Sequence, residues 1–165
     1  MDRRGGNAVK KSVYIETSIA SYVTARPSRD LIQAARRHIT NEWWEYRRSD
    51  FDLFISQYVL DEAGDGDSEA SRRRLELLEG LPLLQSTEEA VLLAEALIVK
   101  GPLPQKAATD ALHIAVATIH EINVLLTWNC SHLANAELLG DVQRVIRSLG
   151  YEPPMICTPD ELMGE

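Results

Sequence analysis

The chain predicts an α/β domain built on a short parallel sheet with helices on both faces. Three observations carry that expectation. Short runs of strand length recur between helical segments, each run is apolar throughout instead of alternating, and polar residues stand where two of the runs stop. A strand without a polar face is covered on both sides, which points to parallel strands joined by helices.

The elements follow in order. Lys11 to Glu16 reads as the first strand and Thr17 to Thr24 as a short helix starting at its end. Ser28 is a suitable N-cap for a long helix to about Arg48, with Ile32, Ala35, Ile39, Trp43 and Tyr46 along one stripe. Asp52 to Ser56 is a second strand, followed by a helix from Gln57 to Ala63 that Gly64 to Asp67 stops. Ser68 to Glu79 reads as a helix and Leu83 to Gln85 as the third strand. Ser86 and Glu89 spell a capping box for a helix to Lys100. That helix is apolar nearly all round, so it is expected to be buried on two sides, in the core or at a subunit interface. After the turn at Gly101 to Pro104, a helix runs from about Gln105 to His120, and Asn123 to Thr127 is the fourth strand. A helix or helix pair fills Ser131 to Leu149, Met155 to Cys157 is the fifth strand, and Thr158-Pro159 opens a last helical turn. Residues 1–11 are polar and glycine-containing and read as disordered, leaving 12–165 as a single domain.

A chain of 165 residues, 45% hydrophobic and 25% charged, can bury an ordinary globular core. No apolar run approaches the roughly eighteen residues of a membrane span, and no signal-like core follows the first residues, so a cytoplasmic protein without membrane contact is expected. Cys130 and Cys157 have no metal-site spacing and read as free thiols. The net charge of −8 argues against a general nucleic-acid coat protein, though not against a nuclease, because carboxylates drawn around a cation count toward the total. The basic clusters Arg36-Arg37-His38, Arg47-Arg48 and Arg72-Arg73-Arg74 read as solvated helix faces.

Four polar positions interrupt this apolar plan: Glu16, Glu62, Asp110 and Asn129. Glu16 and Asn129 close apolar runs, and Asp110 stands in the alanine-rich stretch Ala107 to Ala115. In a doubly covered parallel sheet, ligands bind beyond the carboxyl ends of the strands, where Glu16 and Asn129 fall. A carboxylate on an apolar element costs stability unless something pairs with it, and a divalent cation is one such partner. Each position also has a plainer reading: Glu16 as an exposed strand end, Asp110 as an arginine partner or helix cap, Asn129 as a turn residue, Thr17 and Ser18 as helix caps. Asp61, Asp65 and Asp67 crowd Glu62. His113, one turn after Asp110, reads as a satisfied core histidine, and Trp43, Trp44 and Trp128 read as core or interface aromatics.

The segments around these positions resemble a known family. Val13-Tyr14-Ile15-Glu16-Thr17-Ser18 looks like the opening strand of PIN-domain ribonucleases, and Ser56 to Glu62 like their segment with the second acid. Thr109 to Ala115 resembles the helix with the third acid, and Leu125 to Asn129 the strand ending at the fourth. The group resembled most is the VapC-like toxins of bacterial toxin–antitoxin pairs. The resemblance implies a three-layer α/β/α domain with a parallel sheet of four to five strands. It implies a metal-dependent endoribonuclease acting on single-stranded or structured RNA, with Mg²⁺ or Mn²⁺ held by Glu16, Glu62 and Asp110. Asn129 would assist, and Thr17 and Ser18 would touch a carboxylate, a metal water or a substrate phosphate. A homodimer and a cognate antitoxin are further implications.

Two positions depart from the family's usual pattern: Glu16 stands where aspartate is commoner, and Asn129 where many relatives carry aspartate. Those departures keep open a degenerate PIN domain that binds RNA or protein without cutting. A small phosphatase on a doubly wound sheet would need a nucleophilic DxD after the first strand, which Glu16-Thr17-Ser18 lacks. A dinucleotide or P-loop site lacks its glycine-rich loop.

Overall fold

The computed structural model describes residues 8–164. Most of the segment expected to be disordered lies outside them; Ala8 to Lys10 are exposed and Lys11 already belongs to the sheet. Five parallel strands, β1 (Lys11–Ile15), β2 (Phe51–Ser56), β3 (Leu83–Leu84), β4 (Val124–Leu126) and β5 (Met155–Cys157), lie in the order β3-β2-β1-β4-β5. The α-helices among the described residues are α1 (Thr17–Thr24), α2 (Leu31–Glu42), α3 (Gln57–Ala63), α4 (Ser68–Leu78), α5 (Glu88–Val99), α6 (Ala108–Ile119) and α7 (Ala136–Ser148). The sheet is α/β with five strands, as expected.

Strand order and handedness place the helices. Right-handed crossovers from β1 to β2 to β3 run one way along the sheet, and those from β3 to β4 to β5 run back the other way. Opposite directions put their helices on opposite faces. The packing agrees: α1 meets α2, α3 and α4, while α5 meets α6 and α7. The result is three layers, with Val13, Tyr14 and Ile15 of β1 and Leu125 and Leu126 of β4 wholly buried in the middle one. The order reverses between β1 and β4, and the C-terminal crevice of that pair is where this topology leaves room for a ligand.

Some expectations needed correction. The long helix from Ser28 starts instead at Leu31, because Asp30 accepts the Gln33 N–H at 2.9 Å while Ser28 only supports Asp30. It also stops at Glu42, where a π-helical turn over Trp43–Arg47 begins. The extra residue of such a turn rephases the helix face, and it lets Trp43 and Trp44 both be buried. Trp43 stacks on Phe51 and donates to the Leu162 carbonyl at 3.2 Å. Ile32 and Tyr46, assigned to the buried stripe, are exposed. Thr87, not Ser86, caps α5 through Ala90 N–H at 3.2 Å, and the Ser86 hydroxyl pairs with Tyr58. That helix buries Ala90, Leu93, Ala94 and Leu97 but leaves Val91, Leu92 and Val99 in the open. It is covered on one side only.

The basic clusters are tied down rather than simply solvated. Arg37 donates to the Ala25 carbonyl at 2.8 Å, Arg73 to Thr24 at 3.3 Å and Arg74 to Ala63 at 3.0 Å, closing helix ends that lack other partners. Past the end of α5 the chain passes very close to itself at Gly101, where an added Cβ would sit 2.5 Å from the Leu97 carbonyl oxygen. Gly101→Ala is expected to cost about 1–3 kcal/mol, the usual penalty for forcing atoms into a packed backbone contact. The drop in urea midpoint reads it.

Candidate active site

Parallel pairing of β1 with β4 sets Ile15 opposite Leu126, so Glu16 and Thr127 leave the sheet side by side. The Glu16 N–H donates to the Leu126 carbonyl at 3.1 Å. Glu16 then caps α1: its Oε2 accepts the Ser18 N–H at 2.9 Å, the Ser18 hydroxyl, and the Thr127 hydroxyl at 2.9 Å. Oε1 receives no hydrogen bond from the described residues. The side chain is nearly enclosed (5% exposed), and that desolvation pushes its pKa above the ordinary carboxylate range despite the His113 ring and the donors that pull it down.

Glu62 stands in the last turn of α3, half exposed. Its Oε1 accepts the Thr17 hydroxyl at 2.8 Å and meets His113 Nε2 at 2.5 Å. Partial burial pushes its pKa up, but the hydrogen bond and charge of His113 outweigh this and hold it below the usual value. His113 itself is wholly buried. Its other nitrogen, Nδ1, meets the Tyr14 hydroxyl at 2.6 Å, and that hydroxyl meets Ser56 Oγ at 2.6 Å. One consistent assignment runs Ser56 to Tyr14 to His113 to Glu62, each donating to the next. Burial drives the Tyr14 phenol's pKa far upward, so it stays neutral and able to donate. Tyr14→Phe breaks this relay and leaves His113 Nδ1 and Ser56 unpaired. An expected cost of about 1–3 kcal/mol follows from stranding buried polar groups, read as a loss of melting temperature.

Asp110 lies in the first turn of α6, where the helix dipole favours a carboxylate. Its Oδ1 accepts Asn129 Nδ2 at 3.1 Å and its Oδ2 meets His132 Nδ1 at 3.0 Å. Asn129 Oδ1 in turn accepts the Ser131 and His132 N–H groups at 3.2 and 3.1 Å, while its own N–H donates to Thr127 Oγ1 at 2.9 Å. Asn129 is therefore both a turn residue and a brace for Asp110. The four anticipated positions, with Thr17 and Ser18, belong to two hydrogen-bonded groups at the C-terminal ends of β1 and β4.

The donor set suits a divalent cation. One oxygen from each of Glu16 and Glu62 and a ring nitrogen of His113 lie within 4.8 Å of one another. Two carboxylates, each with one oxygen that receives no hydrogen bond from the described residues, are hard ligands of the kind Mg²⁺ and Mn²⁺ take. The compact group differs from the anticipated ligand set: it contains His113, read from the sequence as a core histidine, and leaves Asp110 out. With Nδ1 accepting from Tyr14 and Nε2 donating to Glu62, neither ring nitrogen keeps a lone pair for a metal, so His113 stands as the satisfied core histidine and orients Glu62. His132 was not anticipated. Its only sequence signal was a histidine three residues after Asn129, and the tight turn at Asn129 is what swings it back to Asp110. Both cysteines are free; Cys130 is exposed, and burial pushes the Cys157 thiol up to about 12. Among the described residues no helix is long and apolar enough to cross a membrane.

No protein-family model matches the sequence, and no curated protein matches it. Among solved structures, the chain is similar to VapC20 of Mycobacterium tuberculosis, a toxin that cleaves the sarcin–ricin loop. The likeness has a TM-score of 0.51 and 18% identity, covering 68% of this chain and 86% of that one. At that identity the likeness speaks to the fold: this chain has the fold of a VapC-like PIN domain.

Proposed function

We propose that the chain is a Mg²⁺- or Mn²⁺-dependent endoribonuclease, a VapC-like toxin that hydrolyses phosphodiester bonds of RNA. The observation that carries this reading is the closeness of donor atoms from Glu16, Glu62 and His113, within 4.8 Å of one another at the switch point of the sheet, with Asp110 linked to Glu16 through Asn129 and Thr127. A cation held there would supply a water ionised near neutral pH and stabilisation for charge developing on the phosphate. The chain's own residues do the rest. Ser18 and Thr127 fix one oxygen of Glu16 and leave the other without a hydrogen bond. Thr17 and His113 orient Glu62. Asn129 and His132 hold both oxygens of Asp110, and His132, partly exposed beside it, would exchange a proton with the departing oxygen.

The same reading brings a cytoplasmic location, a cognate antitoxin and a homodimer. The open apolar side of α5, with Val91, Leu92 and Val99, supports the last of these. Incubation with mixed-sequence single-stranded RNA and a sarcin–ricin hairpin, in Mn²⁺, Mg²⁺ or EDTA, tests the activity. Fragments that form only with metal are the expected result. Intact RNA at high enzyme concentration, with metal present and no co-purified antitoxin, would favour a binding domain without cleavage, the reading that Glu16 and Asn129 in place of aspartates keep open.

A further inference from the structure

We propose that Arg36, stacked on Trp128 just past the C-terminal end of β4, binds an RNA backbone phosphate neighbouring the one being cut. The inference rests on the ribonuclease reading above. Trp128 ties the arginine to the site. It lies between Thr127, which donates to Glu16, and Asn129, which donates to Asp110, and its own N–H donates to Ser18 Oγ at 2.8 Å. The indole is locked at its far edge, where Nε1 donates to Thr40 Oγ1 at 2.7 Å. Thr40 is one turn after Arg36 on α2, so the helix that clamps the ring also lays a cation over it.

The Arg36 guanidinium sits 5.1 Å from the indole centroid, and Tyr22 packs edge-on to the same ring at 6.0 Å. The guanidinium donates a hydrogen bond to the Tyr22 hydroxyl, and the other N–H groups along its edge remain for the planar hydrogen bonds that suit a phosphate. Being already ordered, it loses little conformational freedom on binding. Its charge is not neutralised by a salt bridge, although Asp160 acts on it at longer range. Arg72, Arg144 and Arg147 pair with carboxylates, and Arg37 is tied to the Ala25 carbonyl. Among the described residues no carboxylate lies within ion-pair distance of Arg36. On a chain of net charge −8, an immobilised cation without a salt bridge, stacked on the residue between Thr127 and Asn129, marks where a polyanion can be held.

The test measures binding of a fluorescent single-stranded oligoribonucleotide by anisotropy with Ca²⁺, and cleavage kinetics with Mn²⁺, across a salt series. Arg36→Ala is expected to weaken binding about tenfold, the worth of one charge-assisted contact. KM should rise in parallel while kcat stays within about twofold, as for lost ground-state binding. The slope of log affinity against log salt should fall by about 0.7, one single-strand phosphate. Arg36→Lys should keep most of that slope. Arg144→Ala removes the same charge from exposed α7 and should change none of these. Unaltered RNA affinity and slope in Arg36→Ala, with cleavage intact, would overturn the inference and leave the cation for another anion, such as an acidic protein segment. If wild type binds RNA in an Arg36-dependent manner but never cuts, the nuclease reading fails and the phosphate contact stands. Wild type that binds no RNA overturns both.

Discussion

Asp110→Asn is expected to lower metal-dependent RNA cleavage by about a thousandfold, while the protein stays folded. The figure is the scale at which one electrostatic group in a water-poor catalytic site contributes to rate. Asparagine is the informative replacement because it preserves the packing. Its amide oxygen can still accept Asn129 Nδ2, and its amide nitrogen can donate to His132 once that ring presents Nδ1 as an acceptor. What it removes is the charge at the N-terminus of α6 and, on the proposed reading, one hard ligand. Single-turnover cleavage of a defined RNA in Mn²⁺, with thermal melting alongside, measures the effect. Retention of a tenth or more of wild-type activity in a well-folded variant would move the site away from Asp110 and toward the compact Glu16, Glu62 and His113 group.

Glu16→Gln is expected to raise the melting temperature in EDTA at pH 7–8 and to abolish most of the stabilisation by Mn²⁺. Burial raises the Glu16 pKa in the folded chain. Stability from such a group is complete below the unfolded value, about 4.3, and is lost as pH rises through the folded value. Metal-free wild type therefore bears at neutral pH a cost of burying an ionisable carboxyl that glutamine lacks. Glutamine keeps the local bonds, since its amide oxygen can take the place of Oε2 toward Ser18 and Thr127. Glu62 titrates the opposite way: its lowered pKa adds stability above the ordinary value that is lost on acidification. A cation binding only the folded chain, at about a hundred times its Kd, stabilises by about 2.7 kcal/mol. For a domain of this size that is a shift of roughly 5–10 °C. Equal Mn²⁺ shifts in wild type and Glu16→Gln would exclude Glu16 as a ligand.

Much of the fold was legible because it is written locally. Val13 to Ile15 and Val124 to Leu126 read as strands since each is apolar throughout, and a strand buried on both faces has no polar positions to alternate. Thr17, Gln57 and Met155 open their elements where the sequence placed them, and Ala63 ends its helix as expected. The misplaced starts, Ser28 for Asp30 and Ser86 for Thr87, arose where two capping residues lie within a few positions. Local chemistry supports either cap, and packing selects one. The break in α2 had no local signal. Burying two consecutive tryptophans against Phe51 and Leu162 favours the π-helical turn, and those partners are distant in sequence.

The site divides the same way. Sequence alone singled out Glu16 and Asp110 as candidates, because carboxylates are costly on apolar elements, and placed Glu16 at a strand end, which is a local feature. Tertiary structure decided how each is held. The bonds from Thr127 to Glu16 and His113 to Glu62 join residues separated by 111 and 51 positions. Such contacts depend on the register of β1 against β4 and on the seating of α6, so no nearby pattern could announce them. The turn at Asn129 that brings His132 to Asp110, and the stacking of Arg36 on Trp128, likewise exist only once those elements are packed.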